Sequence, residues 1–292
     1  SPGLLVEWQT FLDLYVARRV PRVDPQLRSL APLLLSRVFG AVVDLPPDRF
    51  SSYPTYEAAL AAYEAEPTLR ILFEQGAGPS GTAGAPEPSF DRRFARWPIP
   101  ETTPTRLYLQ GGGDLTATAP TAATAASQFQ HDPDAGSRSV LAPGGDPWDR
   151  LPKYDWKQPL PGRALSFVSA AFTSDTVMAG TASVDLFMQS SAEDADLQVT
   201  LSEVRPDGQE MFIQSGWLRA SQRKLAPDAT AMWPQHTHLR PDAQPLARTG
   251  DGTWSEVRVG VPAFAHVFRK DSRVRLTIET PGGTFFIDGA SV

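Results

Sequence analysis

The chain has 292 residues, no cysteine, 27 Lys and Arg against 33 Asp and Glu, and a net charge of −6. The missing cysteines exclude disulfides, a thiol nucleophile and thiolate metal sites. The acidic balance, with no basic run interleaved with aromatics, argues against a nucleic-acid surface, and no apolar stretch reaches the about 18 residues that a membrane-spanning helix needs.

Ser1-Pro2 offers an N-cap and a first helical residue, and a helix from Leu4 to Arg19 follows. Its residues Leu4, Leu5, Trp8, Phe11, Leu12, Tyr15 and Val16 recur at three- and four-residue spacing and form a wide apolar face. Because buried aromatics dominate packing, that stripe is expected to be structural, more often core than ligand wall, with core, cap and dimer surface all left open by the sequence. Pro21 and Pro25 stop the helix, a second spans Gln26 to Phe39, and Thr55 caps a third from Tyr56 to Glu66. From Leu69 to Glu74 the period changes to that of a strand, so a domain boundary is placed near residue 67.

Gln75 to Ser89 is a loop rich in Gly, Ala and Pro, Gly111 to Ala126 a second small-residue stretch, and Pro143 to Pro161 a turn-rich connection carrying Trp148, Tyr154 and Trp156. Connections of the last kind cover a sheet edge or pack between domains. Period-2 alternation then marks strands at Ser183 to Met188, Leu197 to Leu201, Met211 to Gln214 and Val274 to Ile278, each expected to bury one face and wet the other. Arg205-Pro206-Asp207-Gly208 reads as the hairpin between the second and third: proline presets φ, aspartate caps its own backbone, and glycine accepts a positive φ. The fold class is mainly β, a jelly-roll β-sandwich preceded by a short helical segment.

Chemistry-bearing residues are few. Gly78-Pro79-Ser80-Gly81-Thr82 approaches a nucleophile elbow but lacks its last glycine and runs into no helix, so Ser80 is read as a loop residue. His236 and His238 would share one face of a strand, yet no third ligand is evident, since Asp242 follows a proline. A hydrogen-bonded histidine pair is the expectation, and His266, among Phe264, Val267 and Phe268, is read as a core or rim histidine. Asp132-Pro133-Asp134-Ala135-Gly136 lacks the glutamate that closes a calcium loop and reads as an aspartate-stabilised turn. Glu193-Asp194-Ala195-Asp196 reads as a solvated strand entrance. No catalytic, cofactor-binding or metal-ligating residue is assigned, and no cofactor is expected.

Several stretches carry a family resemblance. Phe94-Ala95-Arg96-Trp97-Pro98, Leu107-Tyr108-Leu109, His131-Asp132-Pro133, Phe167-Val168-Ser169-Ala170, Asp175 through Gly180, Ser190 through Asp196, Val204 through Gly208, Gly216-Trp217-Leu218-Arg219 and His266 through Leu276 resemble the C-terminal domain of the X-prolyl dipeptidyl-peptidase and cocaine-esterase group of serine hydrolases. The match covers most of residues 67 to 283. It departs where the family has a Phe-Arg-x-Gly-His-Arg-like turn and this chain has Asp271-Ser272, and Gly282-Gly283 runs into Thr284-Phe285-Phe286 by a shorter link than is usual there.

The resemblance implies an enzyme cleaving esters or amides through a serine acyl-enzyme, with the serine, aspartate and histidine upstream of this chain. It implies that residues 1–66 are a remnant of the α/β-hydrolase catalytic or cap region and 67–292 the jelly-roll domain. The expected partners are the N-terminal hydrolase portion, an ester or peptide substrate in the complete enzyme, and a second copy in a homo-oligomer; nucleic acid and membrane are not expected. This chain alone is then expected to be inactive. The Arg-, Ala- and Pro-rich composition points to a bacterial protein, cytoplasmic or secreted. The alternative is a non-catalytic jelly-roll binding module, for carbohydrate for instance, with Trp217, Trp233 and Trp254 as its aromatic platform.

Overall fold

The computed structural model describes residues 2–121, 126–135, 141–146, 148–230 and 233–281. Two compact units form, Ser1–Glu101 with Gly145–Lys153, and Thr102–Gly144 with Tyr154–Val292. The boundary expected near residue 67 falls inside the first of these. No helix among the described residues is long and apolar enough to cross a membrane.

The first unit carries α1 (Pro2–Tyr15), α2 (Pro25–Phe39), α3 (Tyr56–Glu64) and an antiparallel pair, β1 (Leu69–Phe73) with β2 (Phe90–Phe94). Local capping fixes the helix ends. Asp24 accepts hydrogen bonds from the backbone N–H of Gln26 at 2.8 Å and Leu27 at 3.2 Å, Pro25 supplies the preset first turn, and Gly40 ends α2 at φ +70. Thr55 caps α3 through the N–H of Ala58 at 3.2 Å. The apolar cores here are small: Leu14, Phe50 and Ala59 in one cluster, Ala41, Val43 and Ala85 in another. Charge supplements them. Glu7 faces Arg49, Arg70 at 2.8 Å and Arg93 at 3.8 Å, and Glu66 takes Arg49 at 3.1 Å and Arg93 at 3.0 Å, so α1, the end of α3 and both strands are tied by one alternating network.

α1 ends at Tyr15 rather than Arg19, and its aromatic stripe is not in a core. Trp8 is 59% and Val16 71% exposed, while Val6, Thr10, Asp13 and Leu14 turn inward. The reason is polar. Buried Asp13 receives the Arg19 Nε at 2.9 Å, the Gln9 amide at 3.3 Å and the Arg22 backbone N–H at 3.4 Å, which fixes the rotation of the helix as the chain reverses at Arg18, φ +51.

The second unit is the mainly β part. Its six-stranded sheet runs β3 (Tyr108–Leu109), β4 (Asp114–Thr116), β5 (Ala164–Ser169), β10 (Arg273–Glu279), β7 (Asp196–Val204), β8 (Glu210–Arg219), and a second sheet pairs β6 (Thr176–Met188) with β9 (Ser255–Phe268). Val184 of β6 and Val257, Val259 and Val261 of β9 pack with Leu197, Val199, Leu218, Val274, Leu276 and Ile278 of the larger sheet in one apolar core, giving a two-sheet sandwich. The β7–β8 hairpin forms as its residues dictate: Gly208 sits at φ +82, its N–H donates to Arg205 O at 2.9 Å, and Asp207 accepts the Gln209 N–H at 2.9 Å.

Two features depart from the sequence pattern. β9 lies in none of the expected strand segments, because Pro262 interrupts its alternation; in the fold the proline sits where the β6–β9 register shifts, between the pairs Gly180↔Phe264 and Ala182↔Val261, a position a strand proline tolerates. The second feature is β7, whose polar face is not wet. Gln198 is 1%, Thr200 0% and Ser202 0% exposed. Across the ladder Gln198 lies between Trp217 and Glu279, and Thr200 between Ser215 and Thr277. Polar side chains therefore satisfy one another there: Trp217 Nε1 donates to Gln198 Oε1 at 2.9 Å, and the hydroxyls of Thr200 and Ser215 share a bond at 2.9 Å. Gln158, bonded to Glu210 at 2.5 Å and Thr277 at 3.3 Å, and Trp156, against the ring of Phe212 at 5.4 Å, cover this layer from the turn-rich connection.

The two sheets approach tightly at a point where neither carries a side chain. A Cβ on Gly216 of β8 would stand 2.0 Å from the carbonyl oxygen of Gly260 on β9. Gly216→Ala is accordingly expected to destabilise the sandwich by about 1–3 kcal/mol in urea unfolding. Asp271 occupies the left-handed region at φ +69 in the turn before β10, held by its N–H to Phe172 O at 2.8 Å. Asp271→Gly should raise stability by up to about 1 kcal/mol in the same assay, since glycine adopts that conformation without a Cβ clash.

Candidate functional site

Ser80 lies on a turn between β1 and β2. Its Oγ accepts the Thr82 N–H at 3.4 Å and its own N–H donates to Glu87 at 3.1 Å, so the serine is held by local turn geometry rather than presented on a strand-to-helix elbow.

His236 and His238 are brought together, with ring centroids 5.6 Å apart, but not on a strand. His236 makes an isolated bridge to Leu225 and His238 takes φ +51, so the same-face alternation expected of a strand does not apply. Burial, and secondarily the neighbouring His238, push the His236 ring below the ordinary histidine value. Asp242 is turned to Lys224 at 2.5 Å, which holds its carboxyl down. Among the described residues no group of three or more His, Cys, Asp or Glu could hold a metal ion.

The aspartate segments are structural in their contacts. Asp132 accepts the Asp134 N–H at 3.0 Å, an Asx turn, and its own N–H donates to Thr280 Oγ1 at 3.2 Å. Gly136 of that motif lies outside the described residues. The acidic run before β7 is more than a solvated entrance: Asp194 accepts the Ser221 N–H at 2.8 Å and hydroxyl at 2.7 Å, fastening the 3-10 turn Ala220–Gln222 that follows β8, and Asp196 takes Arg219 in a two-pronged pair at 2.8 and 2.9 Å. The tryptophans of the alternative reading are half exposed.

The most chemically distinctive arrangement involves a residue that sequence reading did not single out. Glu203 follows Leu197, Val199 and Leu201 at even spacing on the core face of β7, and it is 2% exposed. The carboxylate meets His266 of β9, with Nε2 to Oε2 at 3.1 Å, and Arg205 stands 3.6 Å away. His266 also sets its ring edge-to-face on Phe268 at 4.8 Å. Burial pushes the Glu203 carboxyl up, but the hydroxyl of Ser272 and the ring of His266 together hold it below the ordinary glutamate value. The parity is the signal that could have revealed it: a charged residue continuing an apolar alternation requires a partner across the core. The pair bridges the two sheets, from β7 to β9.

Because the folded carboxyl is the stronger acid, its contribution is present above the unfolded glutamate value and is lost as acid takes the pH down through the lowered one. Glu203→Gln should cost about 1–3 kcal/mol in thermal or urea melts at about pH 7. The difference from the parent should shrink as acid takes the pH down through the lowered value and the parent carboxyl is itself protonated.

With this geometry in hand, known proteins supply the lineage. The family model for the X-Pro dipeptidyl-peptidase C-terminal non-catalytic domain matches residues 61–283. A Mycobacterium bovis protein named as a serine esterase is 27% identical over 199 residues, 65% of this chain and 30% of its own length. The cocaine esterase of a Rhodococcus species is 28% identical over 148 residues, 46% of this chain and 25% of its own length. Among solved structures, an α-amino acid ester hydrolase superposes with a TM-score of 0.51 at 20% identity, over 70% of this chain and 38% of that one. An aminopeptidase from a Thaumarchaeota archaeon gives 0.51 at 19%, over 67% and 32%; these likenesses concern the fold. The chain thus spans about a third or less of the length of these relatives. It belongs to the family of X-Pro dipeptidyl-peptidase C-terminal non-catalytic domains, carried by hydrolases of the cocaine-esterase kind.

Proposed function

We propose that this chain is the C-terminal part of a serine hydrolase acting on esters or amides, and that the Ser-His-Asp machinery lies in a catalytic portion preceding it. The observation that carries the reading is the match over residues 61–283 to a domain described as non-catalytic, in relatives named as esterases. In this reading the sandwich is a jelly-roll companion to the catalytic portion, and the α1–α3 segment belongs to the α/β-hydrolase or cap region. The complete enzyme forms an acyl-enzyme on its serine, and water releases the acid; this chain's own residues supply scaffold and wall rather than the reacting groups.

The sheet-bridging Glu203–His266 pair suits a scaffold. Its Nε2-to-carboxylate contact at 3.1 Å joins β7 to β9 through the core. The half-exposed tryptophans give the carbohydrate-module alternative little support, because Trp217 spends its N–H on Gln198 inside the polar layer of the sheet.

A fluorophosphonate probe and a p-nitrophenyl ester test the proposal. The 292-residue chain should show neither labelling nor turnover, and the polypeptide extended through the upstream coding sequence should show both. Labelling of the short chain would contradict the proposal, with Ser80→Ala as the first variant to make.

A further inference from the structure

Residues 220–254 join β8 to β9, and the base of this connection is fastened on both sides. The Ser221 N–H and hydroxyl go to Asp194, Arg223 donates to Gln244 O at 2.6 Å and Pro245 O at 3.0 Å, and the Leu246 N–H reaches Glu193 O at 2.8 Å. Between these clamps the chain forms a narrow ribbon. The Ala226 N–H donates to Gln235 O at 2.8 Å and the Thr237 N–H to Lys224 O at 3.0 Å, around the Leu225–His236 bridge. The ribbon lies against β9: Pro234 Cγ stands 3.0 Å from where a Cβ on Gly260 would sit, and the His236 ring lies by the Arg258 backbone. Little apolar burial holds it there. Of the described residues from 224 to 238 Pro234 alone is buried, and a segment with so few buried contacts belongs to the low-stability end of a fold.

His236 is then the decisive group. Its Nε2 is shut off from water and has no hydrogen-bond partner among the described residues. In the neutral ring that atom is an unused acceptor; in the protonated ring it is a charged donor in the same place, with the His238 ring 5.6 Å away. Burial first, and then His238, push the His236 ring below the ordinary histidine value, while the Arg258 backbone pulls less strongly the other way. The charged groups on the neighbouring elements are engaged with one another. Lys224, on the opposite limb of the ribbon, pairs with Asp242 at 2.5 Å, and Arg258 of β9 is held by Asp185 of β6 and feels Glu256. None of these carboxylates is among the groups that act on the His236 ring.

We infer that residues 224–238 form an acid-released latch: with His236 neutral the ribbon lies closed on β9, and protonation of His236 frees it while the sandwich stays folded. Because the closed ribbon prefers the neutral ring, closure is fully favoured above the ordinary histidine value of about 6.5. It weakens as the pH falls from there through the lowered value, by up to about tenfold in the opening equilibrium per pH unit. The Glu203–His266 contact in the core responds later, since its contribution lasts until acid reaches the lowered glutamate value. The ribbon therefore opens first, and its release uncovers β9 at Arg258 and Gly260.

The latch needs nothing from a catalytic portion, so the 292-residue chain carries the test by itself. Amide hydrogen exchange is followed at about pH 7.5 and about pH 5.5, with the intrinsic pH dependence of exchange divided out. Protection at Ala226 and Thr237, the two amides that close the ribbon, should fall at least about threefold at the lower pH, while β7 and β10 keep theirs. His236→Gln, neutral at both pH values, should show the same ribbon protection at both. His238→Gln should keep the fall, because burial rather than His238 is the first cause of the His236 preference.

Ribbon protection that is the same at both pH values in the parent overturns the inference. So does a fall that persists in His236→Gln, or one that β7 and β10 share, since the last is global unfolding. If His236→Gln does not fold, an imidazole NMR titration of the parent decides: a His236 ring that titrates at or above the ordinary histidine value contradicts the latch, and one that titrates below it, in step with the loss of ribbon protection, supports it.

Discussion

β7 and β10 must be buried on both faces, and the sandwich follows from how they manage it. On one side Leu197, Val199, Val274, Leu276 and Ile278 meet the valines of β9 in a dry core. On the other, Gln198, Thr200, Ser202, Thr277 and Glu279 are equally hidden from water, and an uncompensated polar group there would cost free energy comparable to a lost hydrogen bond. Much of that demand is met by bonds across the ladder, by Gln158 and by the bond that Thr280 shares with His131 at 3.2 Å, while the buried Trp156 Nε1 finds no hydrogen-bond partner among the described residues. The turn-rich connection is therefore part of the sheet's energetics. At one tight approach of the two sheets, side chains are dispensed with altogether, at Gly216 and Gly260.

The two units spend their hydrophobic residues differently. The sandwich puts its aliphatic side chains inside and closes its core with a buried acid–histidine bridge. The helical unit keeps small cores and an ion network, and leaves much of its apolar surface outside.

Much of this was legible from local rules. The β7–β8 hairpin could be read from four residues because proline, aspartate and glycine each have a single good place in such a turn. Helical periodicity located the apolar stripe of α1 but not its direction: a face at 3.6-residue spacing looks the same whether it meets the chain's own core or another body, and here the buried Asp13, four residues after Gln9 and six before Arg19, decided the rotation. β9 was hidden by Pro262, which period counting treats as a break though a register shift absorbs it. The polar layer of β7 was hidden for the opposite reason, since glutamine, threonine and serine at alternate positions spell a solvent face until a distant segment such as Trp156–Gln158 is laid over them. Glu203 could have been found by parity; its partner, 63 residues on, could not.

On the function proposed above, the sandwich stands by itself while the helical segment belongs with a catalytic portion preceding it. Amide hydrogen exchange, compared between the 292-residue chain and the continuous polypeptide that includes its upstream segment, tests it most directly. The account predicts that amides of α1 and α2 exchange more slowly in the longer polypeptide, while β7, β9 and β10 exchange at the same rates in both. Equal exchange of the helices in the two forms, or a sandwich that gains its protection only when the upstream segment is attached, would contradict it.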